Sequence, residues 1–288
     1  MSHSRNTPEH PLTDLARFAF RWSAHLCDPD HACGSYHRMW SAVRLLEQDG
    51  ALPAGAPFFA SQIAAAARVG KVSILLSGTA DTGLLELACL GAAQAGLDAS
   101  YTVIDRCKTP LAQCRLFGEI NQLALTCHQM TPDNLPEGEH DVILAHSFLA
   151  FIPPDHRAAV IAGWARALRA GGRVVMSQRL VAEGDSYQRQ RPPEQIATRR
   201  DRLQARLEQD NPFAENIPTL LDAAEALWTN TLGGNGLLLS ELEALSDAAG
   251  FDVLAATPDM GGESTSPFAL KSQATKRPRV EIVLQKSG

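Results

Sequence analysis

The sequence predicts an α/β fold: a doubly wound, mostly parallel seven-stranded sheet with helices at the N-terminus and a helical cap inserted late in the chain. Two observations carry this. Apolar strand-like runs alternate with helical patterns across short links from Val72 to Ser177, the rhythm of βαβ units. Asp141-Val142-Ile143-Leu144-Ala145 is almost continuously apolar, as a parallel strand covered on both faces must be.

The chain has 288 residues, 45% hydrophobic and 20% charged, enough for one large α/β domain with decoration or for two small ones. Its formal net charge is −6. That disfavours nucleic acid or an anionic membrane as primary partner. No apolar stretch reaches the ~18 residues that a membrane span needs, and residues 1–10 are polar, so a cytoplasmic location is expected. The six cysteines contain no C-x-x-C pair and read as reduced thiols. His25, Cys27, His31 and Cys33 lie close together in sequence, but their spacing matches no zinc pattern, and no metal is expected.

Residues 1–11 read as a loose tail. Leu15, Phe18, Ala19, Trp22 and Leu26 then recur at helical spacing, and Asp28-Pro29-Asp30 ends that helix. A second helix spans about Ser35 to Glu47, with Tyr36, Trp40, Val43 and Leu46 on one stripe. Both stripes read as core contacts, while residues 36–40 also suit closure over a ligand. Gly50 to Pro57 is turn-forming, and Ala60–Ala67 is a short helix stopped by Gly70.

The alternation follows. Strands are expected at Val72–Ser77, Ser100–Asp105, Leu123–Gln129, Asp141–Ala145 and Arg173–Ser177. Helices are expected over Thr82–Ala95, from Thr109-Pro110, where the missing proline N–H costs little, and from Pro153-Pro154-Asp155. Ala170-Gly171-Gly172 is read as the stop of that last helix. Residues 180–238 break the rhythm, with a polar helix from Pro193 to about Asp210 and another over Leu220–Trp228. An excursion this long is a cap or a functional insertion. Its arginines, 189, 191, 199, 200, 202 and 206, read as a solvated face offset by Glu194, Asp201 and Glu208. Ser240-Glu241-Leu242-Glu243 carries a capping-box signature, before strands at Phe251–Ala256 and Val280–Gln285 separated by a polar loop from Gly261 to Pro278. The expected division is residues 1–70 as N-terminal extension or lid, 71–179 with 239–288 as the cofactor-binding domain, and 180–238 as cap.

The stretch Ile74-Leu75-Leu76-Ser77-Gly78-Thr79-Ala80-Asp81-Thr82-Gly83 reads as strand, glycine loop and helix start, a junction whose free N–H groups suit an oxygen-rich ligand. Asp105 ends the next strand, where an acid accepts ribose hydroxyls in nucleotide-binding units. It also reads as the N-cap of the following helix.

These pieces, with Asp141 to Ser147, Leu168-Arg169-Ala170-Gly171-Gly172-Arg173-Val174-Val175 and Ala248-Ala249-Gly250-Phe251, resemble class I S-adenosylmethionine-dependent methyltransferases, of the bacterial small-molecule type. The resemblance covers roughly residues 72–180 and 239–286 and implies a Rossmann-like domain and S-adenosylmethionine as cofactor. It places Gly78, Thr79, Ala80 and Asp81 in the loop facing the methionine part. Asp105 with Arg106 falls at the ribose, Gln129, Met130 and Thr131 near the adenine, and His146, Ser147 and Phe148 at the reaction edge. The loop departs from the family pattern of acid-x-Gly-x-Gly-x-Gly: Leu76 stands at the acid, Ala80 and Thr82 at the second and third glycines, with Asp81 as a replacement acid inside the loop.

The implied reaction is methyl transfer to an O or N atom of a small molecule in bacterial specialised metabolism. Removing the acceptor proton calls for a base near neutral pKa. His146 is the first candidate and His37 the second, and a structural histidine in the sheet top is the competing reading of His146. Tyr36, Trp40 and Arg179 are the candidate acceptor contacts, with Arg179 suited to an acidic group. The helical additions make a homodimer plausible. Competing readings are a relative that binds the cofactor for other chemistry, such as a cyclisation, and a non-catalytic scaffold.

Overall fold

The computed structural model describes residues 12–46, 56–138, 140–181, 191–229, 236–259 and 279–288. The predicted tail at residues 1–11, residues 50–55 of the turn predicted from Gly50 to Pro57, the loop from Gly261 to Pro278 and Arg189 lie outside them, and Ala56 and Pro57 belong to a helix instead of the turn.

The strands are β1 (Lys71–Ser77), β2 (Asp98–Asp105), β3 (Leu125–Gln129), β4 (His140–His146), β5 (Leu168–Arg179), β6 (Phe251–Asp259) and β7 (Arg279–Lys286). They form one sheet in the order β3-β2-β1-β4-β5-β7-β6. β7 runs antiparallel to both β5 and β6, and the pairings from β3 to β5 are parallel. The order reverses between β1 and β4, the switch point at whose carboxyl edge ligands bind in open α/β sheets.

The helices are α1 (Leu12–Leu26), α2 (Gly34–Leu45), α3 (Ala56–Ala66), α4 (Gly83–Gln94), α5 (Lys108–Ile120), α6 (Pro154–Ala167), α7 (Pro193–Gln209), α8 (Ile217–Thr229) and α9 (Leu239–Ala248). Two apolar layers cover the sheet. One joins Leu75, Ile143 and Val174 to α6 and α9 through Trp164, Ile161 and Leu242. The other joins Ile74, Leu76 and Val103 to α3, α4 and α5 through Ile63, Leu85 and Leu111. Each of these fully buried aliphatic side chains stabilises the fold by about 1.5–3 kcal/mol. α3 thus belongs to the sheet layers. α1 and α2 instead share a third core with the inserted helices α7 and α8, built on Phe20, Met39, Val43, Leu203, Leu221 and Trp228.

Several local expectations give way to tertiary packing. Trp22 is 52% exposed, because α1 buries the face carrying Leu12, Leu15, Ala16, Ala19 and Phe20, and Trp22 stacks on Phe18 instead. Ala170-Gly171-Gly172 does not stop a helix. α6 ends at Ala167 and β5 begins at Leu168, with an irregularity between the His140–Leu168 and Val142–Arg173 pairings. Gly171 takes φ +70° there, and a Cβ on Gly172 would press on the His140 carbonyl. The capping box at Ser240 does not form. The N-cap is Leu238 without a side-chain cap bond, and Glu241 is drawn to the fully buried Arg157, 2.7 and 2.9 Å from its Nη1. The arginines of α7 are not simply solvated. Arg200 reaches Glu225 and Asp222 on α8, and Arg199 lies over the Trp228 ring.

Breaking the Arg157 pair removes the carboxylate from a buried guanidinium. Glu241→Ala is expected to lower unfolding stability by about 3 kcal/mol, read from the midpoint in urea. Replacing both partners, Arg157→Met with Glu241→Leu, should recover most of that loss.

Candidate functional site

The strand registers build the site. Ser77 pairs with Ile104, Asp105 with Gln129, Leu76 with Leu144 and His146 with Ser177. One step past β1, Gly78 therefore stands level with Asp105, Gln129 and His146 in a single row along the carboxyl edge.

The loops of that row are tied together by Asp105. Its Oδ2 accepts the Thr79 N–H at 3.0 Å and its Oδ1 the Cys107 N–H at 2.7 Å. The second bond is a local turn contact two residues on and not the N-cap read from sequence, because the N-cap of α5 is Cys107; the first links the loops after β1 and β2. Burial pushes the Asp105 carboxyl up, against the downward pull of His37 and the two N–H donors. An ionised carboxylate offers about four acceptor positions, and two N–H groups leave room for hydroxyl donors.

Gly78 has φ +73°, and a Cβ there would lie 2.2 Å from the Phe148 ring. The turn needs glycine for its backbone and for the approach of that ring, which also lies 6.1 Å from Trp164. The Trp164 indole donates to Ser77 Oγ at 2.8 Å, fixing the strand end before the turn. Asp81 is buried with a partner at each oxygen: Oδ1 accepts the Gly83 N–H at 2.8 Å and Oδ2 the Arg44 Nε–H at 2.7 Å. Arg44 also meets Glu86 at 3.0 Å. The two acids gather at the start of α4, where the helix dipole favours negative charge. They hold Arg44, brought by α2, against the loop. Ala80 beside them is half-buried.

The turn after β4 is strained. Ser147 has φ +52°, an unusual conformation for a non-glycine residue. Its N–H donates to Ser177 O at 2.7 Å, and its buried Oγ has no partner among the described residues. Phe151 follows, with its ring 6.0 Å from Tyr36, and Tyr36 stacks on Trp40 at 5.2 Å. α2 thus brings two of the predicted acceptor contacts over the β4 turn, which supplies Phe151, a residue the sequence did not point to. Arg179 is exposed at the end of β5. After β3, Met130 N donates to Asp105 O at 3.1 Å, Gln129 Nε2 to the carbonyl of exposed Arg106 at 3.0 Å, and Asn134 Nδ2 to Thr131 Oγ1 at 2.9 Å.

His37 is placed elsewhere. It is buried, with Nδ1 3.5 Å from Cys27 Sγ, in a group with Cys33 and Cys107. Burial pulls its imidazole down, but hydrogen bonds with the Cys107 and Cys27 sulfurs prevail and lift it to about 9. Hydrogen bonds from Cys27 and Cys33 and the charge of His37 hold the Cys107 thiol far below its usual range. An imidazole so engaged is poorly placed as a base toward a bound acceptor. One open cleft of about 530 Å³, between Glu137, Arg166, Arg169 and Lys286, opens at the opposite end of β4 and β5 and contains none of the predicted site residues.

The sheet order, with a glycine turn after β1 and an acid after β2, is that of a Rossmann-like α/β fold. A family model described as a methyltransferase domain matches residues 83–176, from the start of α4 into β5. That match covers about a third of the chain and agrees with the resemblance read from the sequence; it begins where the glycine loop gives way to α4. No curated protein matches the chain in sequence. Among solved structures, a mitomycin 7-O-methyltransferase superposes with a TM-score of 0.51 at 16% identity, covering 93% of this chain and 61% of that one. A (4+2)-cyclase superposes at 0.51 and 14%, covering 86% and 82%. An O-methyltransferase of neocarzinostatin biosynthesis, solved with S-adenosylmethionine and 2-hydroxy-5-methyl naphthoic acid, superposes at 0.50 and 17%, covering 91% and 59%. The chain spans about three fifths of the two O-methyltransferases, and these likenesses are of fold.

The Gly78 turn is predicted to depend on its lack of a side chain. Gly78→Ala is expected to cost about 1–3 kcal/mol, from the left-handed backbone and the collision with Phe148. A double-mutant cycle with Phe148→Ala, followed by urea unfolding, should return a coupling above about 0.5 kcal/mol.

Proposed function

We propose that this protein binds S-adenosylmethionine along the carboxyl edge of the sheet and transfers its methyl group to an O or N atom of a small-molecule acceptor. The carrying observation is the row of Gly78, Asp105, Gln129 and His146 closed by the Asp105 bond to Thr79 N. The group fits what is present: Asp105 keeps acceptor capacity for ribose hydroxyls, and the buried, unpartnered Ser147 Oγ awaits a donor or acceptor at the edge. When bound, the cofactor supplies an electrophilic methyl. The chain holds the ribose with Asp105, flanks the adenine with Gln129, Met130 and Thr131, and presents His146 to take the acceptor proton. Positioning of this kind contributes several kcal/mol.

A flat, partly apolar acceptor is supported by the Tyr36, Trp40 and Phe151 rings around the β4 turn. Arg179 is the candidate contact for an acidic group on it. The solved neighbours named as a mitomycin 7-O-methyltransferase and an O-methyltransferase of neocarzinostatin biosynthesis support specialised metabolism as the setting. A second reading, cofactor binding without methyl loss, is favoured by the loop itself: Asp81 is spent on Arg44 and Gly83, and a cyclase shares the fold.

Calorimetry and turnover separate the readings. Asp105→Ala should weaken S-adenosylmethionine binding at least about tenfold, near 1.4 kcal/mol; unchanged affinity removes the ribose role. Across a panel of phenolic and amine acceptors, S-adenosylhomocysteine should accumulate. With a responding acceptor, His146→Ala should cut kcat about a hundredfold and spare cofactor affinity. Product formed without loss of the methyl group would establish the second reading.

A further inference from the structure

We propose that Cys27, Cys33, His37 and Cys107 form a structural zinc site that clamps the N-terminal helices to the cofactor edge. The inference stands on these four side chains and is independent of the methyl-transfer reading. Their ligand atoms are buried and lie within 4.8 Å of one another. Cys27 Sγ is 3.5 Å from both His37 Nδ1 and Cys107 Sγ, and Cys33 Sγ is 3.8 Å from Cys107 Sγ. A tetrahedral zinc with Zn–S of ~2.3 Å and Zn–N of ~2.1 Å has S–S edges of about 3.8 Å and S–N edges of about 3.6 Å. These three separations lie within about 0.3 Å of such edges, and the other pairs fall within 4.8 Å. Three sulfurs with one imidazole form a recognised zinc ligand set and leave no open position, which makes the site structural.

The surrounding chain is arranged for the purpose. Cys27 follows α1. The link to Cys33 is fixed by Asp28, whose side chain accepts the Asp30 N–H, and by Ala32 in the left-handed region at φ 50°. Cys33 is the N-cap of α2 and Cys107 the N-cap of α5, and neither helix start carries a side-chain cap bond. Two helix N-termini therefore converge where thiolate charge gathers, and their dipoles favour it. Thr109 Oγ1 lies 3.1 Å from Cys27 Sγ, an outer hydrogen bond of the kind that orients metal ligands. The three remaining cysteines, 89, 114 and 127, pack among apolar side chains.

The ion joins segments far apart in sequence. Cys107 donates its backbone N–H to Asp105 Oδ1, so loading the site fixes the acid that links the two site loops. It also fixes α2, which carries Tyr36, Trp40 and Arg44.

Full-length protein purified under reducing conditions from zinc-supplemented cells should contain one zinc per chain by elemental analysis. A chelator should lower its Tm by at least about 5 °C, with recovery on adding Zn2+ alone. Cys33→Ser and Cys107→Ser should lose most of the bound metal, while His25→Ala and His31→Ala, adjacent in sequence but outside the cluster, keep it. Where a serine variant does not fold, Co2+ exchanged into the intact protein should give tetrahedral d–d bands with sulfur-to-cobalt charge transfer. Metal-free wild type with no cobalt spectrum overturns the proposal. So does a disulfide among Cys27, Cys33 and Cys107 in the reduced preparation, or metal content unchanged in Cys107→Ser.

Discussion

The candidate site depends on one half-buried carboxylate. Asp105 is the point where the loop after β1 and the loop after β2 meet, because one oxygen takes the Thr79 N–H and the other the Cys107 N–H. Parallel strands place these loops side by side but do not bond them to each other. Without the bridge, two backbone donors at a buried edge lack a partner, and such groups are costly to leave unsatisfied. Burial opposes the charge on Asp105, and the neighbouring donors offset that opposition. The residue therefore sits under competing demands, a common property of groups kept for binding.

Around that bridge the helical additions act together with the sheet. α1 and α2 come before the first strand and α7 and α8 after the fifth, yet they share a core through Met39, Val43, Leu221 and Trp228. This body reaches the site at defined points: Arg44 into the acids at the start of α4, Tyr36 onto Phe151, and the Cys27, Cys33 and His37 group onto Cys107. Closure over the carboxyl edge is a consequence of these contacts.

Much of this was legible in the linear pattern. The apolar run at Asp141–Ala145 marked a doubly covered strand, and β4 forms there. Gly78 and Asp105 fell at strand ends, and the registers put them level. What failed has a common cause. Trp22, Ser240 and the Gly171-Gly172 stretch were read from local propensity, whereas α1 buries another of its faces, α9 starts at Leu239 so that Ser240 lies inside it, and β5 pairs with β4 from Leu168 onward. The aromatic contact with Phe151 left no signal, because a single phenylalanine after a strand has no periodicity to betray it.

By itself the sequence determined the order of strands and helices, since side-chain periodicity and turn chemistry are local properties. It also determined the placement of the glycine turn and the acid, since strand ends are where those residues fall. Only the tertiary structure decided which groups converge. Cys27 and Cys33 were grouped with His25 and His31, their neighbours along the chain, and the pattern matched no metal site. Folding discards both histidines and substitutes His37, one helical turn past Cys33, and Cys107, 74 residues beyond Cys33. It likewise commits Asp81 to Arg44 on a distant helix. Such convergence is set by how α2 and α5 pack, and helix packing is not written in the spacing of any one segment.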